Sequence, residues 1–237
     1  YGWRSCLLIF AATQLLVVLP IHLAIPRYRM KPAGEAPEAV QAEGDEGRVP
    51  LSERRAIFWL MALSFSASGL VSWGLPLHVI GLMQSAGLSN ATAVAIATLS
   101  GPATLAARAI DAVAGHRLPV ERVALGGLAL GPLSCLLMAL APGSAPVAIA
   151  FILLFNAAMG VIAVARATLP LALFGRLGFG SMLGRLTVPQ NLTFAAAPLL
   201  FALMIERIGP AGALYISAAI QFTALLAMAL LVRRLRG

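Results

Sequence analysis

The chain has 237 residues, 60% of them hydrophobic and 11% charged, with a mean hydropathy of +0.90. A soluble domain carries about 25% charged residues, so a water-facing globular surface is excluded and an integral membrane protein is implied. The formal net charge of +8 lies beside apolar segments, where it sets orientation, and gives no reason to expect nucleic acid as a partner.

The apolar runs lack the alternating period of barrel strands, so the spans are expected to be helices and the fold class all-α, a polytopic membrane helix bundle. A first span is expected over 4–25. Residues 26–54 follow as the one long hydrophilic stretch, holding Glu35, Glu38, Glu43, Asp45, Glu46, Glu53 and the single lysine, Lys31. With few apolar groups and several helix breakers it reads as a mobile linker. Six further spans are expected over 55–80, 90–113, 122–141, 146–170, 185–206 and 211–232, separated by Gly81, Gly115, Pro142-Gly143, Gly175 to Gly180 and Gly209-Pro210.

Basic residues test this layout. The linker, the 108–122 region, the 166–185 region and the tail carry the arginines, while the segments between the second and third and between the fourth and fifth spans carry none. A start outside the cell and a cytoplasmic linker and tail satisfy this asymmetry, with Arg4 and Arg207 as exceptions. A single lysine against so many arginines, with abundant Ala, points to a GC-rich bacterial genome and hence a cell inner membrane. The segment from Ser5 is too long for a signal peptide, and no cleavage site follows it.

The spans differ in polarity. The first and fourth carry few polar groups and are expected to face lipid; the second, third, fifth and sixth carry more and are expected to surround a cavity. In the second, Ser64, Ser68 and Ser72 share a face; close packing of small residues is the favoured reading and a cavity wall the alternative. His78 is the candidate for a group titrating near neutral pH. Arg108 and Asp111, three apart, are placed to pair at the cytoplasmic end of the third span, with Arg117 beyond them; snorkelling is the alternative. Asn156 in the fifth span needs a hydrogen-bond partner. Arg166 either snorkels or holds an anionic group in a cytoplasmic vestibule. In the sixth span Gln190 and Asn191 lie between Pro189 and Pro198, two prolines that can kink a helix, as at transporter binding sites. Ser68, His78, Asn156, Arg166, Gln190 and Asn191 are therefore the substrate-cavity candidates, and Arg108, Asp111 and Arg117 the gate candidates.

No carboxylate lies mid-span, and no HExxH, GxSxG, P-loop or CxxC occurs. No enzyme, metal site or cofactor is expected. Cys6 and Cys135, both within apolar runs, read as small buried hydrophobes.

The layout resembles part of a major facilitator superfamily transporter. Tyr1-Gly2-Trp3-Arg4 resembles the turn that often opens the sixth helix of that family. Gly101 to Arg117 resembles the second copy of its cytoplasmic signature, Gly-x3-Asp-Arg-x-Gly-Arg, departing from it where Asp111 is followed by Ala112 and the basic pair is His116-Arg117. The run Ala165-Arg166-Ala167-Thr168-Leu169-Pro170 through Gly175, with Gly101-Pro102 and Ala107-Arg108, looks like a bacterial subgroup of transporters. The resemblance implies a sixth helix over 1–25, a central cytoplasmic linker over 26–54 and a six-helix C-terminal half over 55–237. It further implies alternating access to a small-molecule substrate, lipid surroundings, an N-terminal half outside this chain, and peripheral fourth and seventh spans. A seven-helix receptor and a membrane scaffold subunit share the span count; a retinal protein is excluded because no span holds a lysine.

Overall fold

The computed structural model describes residues 2–24, 47–176 and 178–236. It divides into two compact units, Tyr1–Glu43 and Gly44–Gly237. In the first, α1 (Trp3–Thr13) and α2 (Leu19–Ala24) are joined through a π-helical turn, Gln14–Val18. Their apolar side chains, such as Leu8, Phe10 and Leu16, are exposed. Of the expected linker over 26–54, residues 26–46 lie outside the described residues.

The second unit contains α3 (Arg54–Ser85), α4 (Asn90–Ala97), α5 (Ser100–Ala114), α6 (Val120–Leu140), α7 (Ala145–Phe174) and α8 (Phe179–Arg234). Among the described residues there are no strands, and counting the N-terminal helix and joining α4 to α5, 6 helices are long and apolar enough to cross a membrane. The protein is an all-α, multi-pass membrane helix bundle. The last helix has 56 residues, a length of roughly 84 Å at 1.5 Å per residue against a hydrocarbon core of about 30 Å. It is not straight. Gly209 has φ 76° and ψ 170°, a conformation essentially reserved for glycine, and the chain doubles back there. Phe194 and Phe201 of the first limb lie against Gly69 and Gly74 of α3, whereas in the second limb Ala224 accepts from Ser64 and Arg234 reaches Glu53. Residue numbers rise together along α3 and the first limb and oppositely along the second, so the limbs are antiparallel.

The same reasoning orders the other helices. Arg48 bonds Glu121 at the start of α6, and Val49 bonds Leu173 at the end of α7. Leu82 lies near Met138, Ala148 and Leu214. The six passes therefore alternate between an end carrying Arg54, Arg55, Arg122, Arg176, Arg185, Arg233 and Arg234, called here the arginine end, and a far end holding the 86–89 and 141–144 turns and Gly209. Two apolar clusters divide the interior accordingly. One gathers Ile57, Met61, Leu128, Leu169 and Leu231 towards the arginine end; the other gathers Leu75, Met138, Phe151, Phe155 and Phe201 towards the far end.

Several expectations change. The second span runs to Ser85, through Gly81, because a glycine facing open space weakens a helix without ending it. The third span runs over Asn90–Val113 as expected, with a local turn at Thr98-Leu99 whose backbone stays right-handed and where Pro102 has no N–H to offer the Thr98 carbonyl. Pro189 and Pro198 leave the backbone of α8 helical, and the break falls at Gly209. The fourth span, expected to face lipid, is α6: one face, with Ala124, Gly127, Gly131, Ser134 and Cys135 buried, packs on α7 and α8, and the opposite face, with Leu133, Leu136 and Leu140, is exposed. Small residues let neighbouring helices approach, and polarity does not report that property. The linker's end, expected to be mobile, is docked: Val49 is buried and Arg48 donates to the Ala172 carbonyl and to Glu121.

A side chain at Gly74 would run into the ring of Phe201, which is fully buried. Gly74→Val is expected to destabilise the bundle by about 1–3 kcal/mol, and Gly209→Ala by about 1–3 kcal/mol. Gly101→Ala, which meets open space, is expected to be neutral or stabilising by up to about 1 kcal/mol. Unfolding of the purified chain in detergent checks all three.

Candidate functional site

Among the described residues, Arg166, His78 and Ser66 each hold a buried polar side-chain atom without a partner, and of the three Arg166 is the cation. It lies on α7, eight residues before the helix end at Phe174, about 12 Å along the axis, and is half-buried. Its Nη2 donates to the Phe65 carbonyl of α3 at 3.3 Å. Its guanidinium carbon lies 5.1 Å from the centroid of Phe194, on the first limb of α8, and 6.0 Å from that of Phe65. Its Nε is buried and has no hydrogen-bond partner. Three helices thus converge on one cation.

Gly69 makes this convergence possible. Any side chain there would occupy the position of the Phe194 ring, so glycine admits Phe194 against α3. The ring then stacks on Trp73, one turn further along α3, with centroids 5.5 Å apart and planes 24° apart. Trp73 remains 56% exposed, and the result is an aromatic surface that reaches the guanidinium through Phe194. Gln190, one turn before Phe194, is buried and donates to the Leu186 carbonyl of its own helix. Asn191 is exposed on a neighbouring face.

The remaining candidates lie elsewhere. Ser68 is buried in the Ser64 stripe, where Ser64 donates to the Ala224 carbonyl across the interface at 2.9 Å; close packing is the arrangement there. His78 is thirteen residues beyond Phe65, about 20 Å along α3, and its ring stacks on Phe201 with centroids 6.4 Å apart. Its Nε2 is buried without a partner. Asn156 donates to the Ile152 carbonyl at 2.9 Å, and its Oδ1 lies 3.4 Å from Thr104 Oγ1, whose single proton goes to the Ser100 carbonyl at 2.9 Å, so the contact between α7 and α5 there is weak.

At the arginine end, Arg108 and Asp111 form no ion pair, contrary to their spacing. Arg108 and Arg117 are exposed and Asp111 half-buried. The ion pairs among the described residues are Arg48–Glu121 at 3.0 Å and Arg234–Glu53 at 2.9 Å. These join segments far apart in the chain, so no local spacing could have marked them. Phe65, Trp73 and Phe194 were equally hidden, because an aromatic residue in an apolar span reads as core. A groove of about 530 Å³ lies between α5, α6 and α7, lined by Ala103, Ala107, Gly127 and Ala157 with Asp111 and Arg122 among its few polar groups. Its walls are mostly apolar.

No family model and no curated protein matches the chain. The Asn156–Thr104 contact is testable by itself. A double-mutant cycle with Asn156→Leu and Thr104→Val is expected to give a coupling below about 0.6 kcal/mol, the average for an interhelical bond, in detergent unfolding.

Proposed function

We propose that the chain is the C-terminal portion of a major facilitator superfamily transporter, moving a small solute across a bacterial inner membrane by alternating access. The observation that carries this reading is Arg166: a cation within a membrane-spanning helix, where α3, α7 and the first limb of α8 meet, with a buried donor unspent. Ionisable groups at such depth are costly and mark substrate or ion pathways. The alternating passes and the resemblance of Gly101–Arg117 to a cytoplasmic signature support the same reading. The arginine end is assigned to the cytoplasm by the positive-inside rule, which leaves Arg207 on the opposite side.

Vesicles holding the product of the complete coding region are expected to take up or release a component of a labelled whole-cell small-molecule extract. Vesicles holding residues 1–237 alone are expected not to. No flux of any component from the complete product would remove the transporter reading and raise the receptor and scaffold readings. Sidedness has its own test. With Cys6 and Cys135 replaced, Ser144→Cys is expected to react with an impermeant maleimide on intact cells and Ser181→Cys only after permeabilisation; the reverse pattern inverts the orientation.

A further inference from the structure

We infer that the face formed by Arg166, Phe194 and Trp73 takes a small organic carboxylate whose apolar, planar body lies against Trp73. The inference rests on the transporter reading and narrows its substrate class. A guanidinium presents its N–H groups as a planar fork that matches a carboxylate. Arg166 spends Nη2 on the Phe65 carbonyl at 3.3 Å, while Nε is buried and unpartnered. No carboxylate neutralises it among the described residues: Glu53 and Glu121 pair with Arg234 and Arg48, Asp111 lies in the groove beside α6, and Glu206 is near the far end.

The rings beside Arg166 add a second requirement. Phe65 and Phe194 cover the cation, and Trp73 extends this aromatic surface with a largely exposed indole. A fully hydrophilic anion would leave that surface unused, and a cation would be repelled by Arg166. An anion with a planar apolar body satisfies both, its charge on the fork and its body stacked on the indole.

Three probes separate these requirements: benzoate has the anion and the ring, acetate the anion alone, and benzylamine the ring with a positive charge. For the purified product of the complete coding region in detergent, benzoate is expected to raise the Tm by several degrees, acetate by less, and benzylamine not at all. Arg166→Lys keeps the charge and loses the fork, and is expected to weaken the benzoate response about tenfold or more. Trp73→Leu is expected to leave the acetate response and abolish the advantage of benzoate.

Absence of a benzoate shift, an equal shift with benzylamine, or a full benzoate response in both variants overturns the inference. Should Arg166→Lys fail to fold, an undiminished benzoate advantage in Trp73→Leu is enough to overturn it. Benzoate binding without flux of any solute in vesicles would remove the transporter reading and leave the anion site standing. Flux confined to neutral or cationic solutes would do the opposite.

Discussion

The seam between α3 and the two limbs of α8 is the contact on which the rest of the bundle depends. Water does not drive helices together inside a bilayer, so they associate where small residues let backbones approach and where polar groups bond across. Gly69 and Gly74 admit Phe194 and Phe201 to the surface of α3, and Ser64 bonds the Ala224 carbonyl of the returning limb. One helix thus holds both limbs of a hairpin whose reversal is set by Gly209. The register of this seam fixes which ring faces Arg166 and leaves Trp73 uncovered.

Energetics explain why the chain tolerates Arg166 without an acid beside it. A centrally placed arginine costs about 2.5–3.5 kcal/mol on insertion scales, an upper bound for Arg166, which lies eight residues from the end of its helix. A hydrogen bond to a charged group returns about 1.5–3 kcal/mol, and a cation–π contact about 0.5–2 kcal/mol. The Phe65 carbonyl and the two rings therefore offset a cost of the same size. They solvate the charge without neutralising it, which leaves a net positive site in the bundle.

The two ends of the bundle have different chemistry. At one end Arg48 and Arg234 pair with Glu121 and Glu53, at exposed or half-exposed positions. Exposed pairs contribute about 0–1 kcal/mol, so these order the chain ends more than they stabilise the whole. At the other end short turns join the helices: Ser89 caps α4 by accepting from the Thr92 N–H, and Gln84 bonds Asn90. The apolar clusters between the ends are separate layers, with the Arg166 cluster on the side of α3 and the first limb of α8.

The positions of the spans, their alternation and the gathering of arginines at one end were legible in the residues, because run length and charge follow directly from the 20-residue need of a bilayer and the cost of moving cations across it. Gly209 was legible as a break for the same local reason. What the tertiary structure alone decided were the partnerships. It packed one face of the weakly polar α6 on α7 and α8, left Arg108 and Asp111 unpaired despite their spacing, and kept α8 helical through Pro189 and Pro198. It also brought Phe65, Trp73 and Phe194 to Arg166 from distant parts of the chain. Hydropathy and charge are properties of single residues and their near neighbours, whereas the surroundings of a guanidinium depend on which helix faces meet, and that is set by glycines whose role appears only once a second helix lies against them.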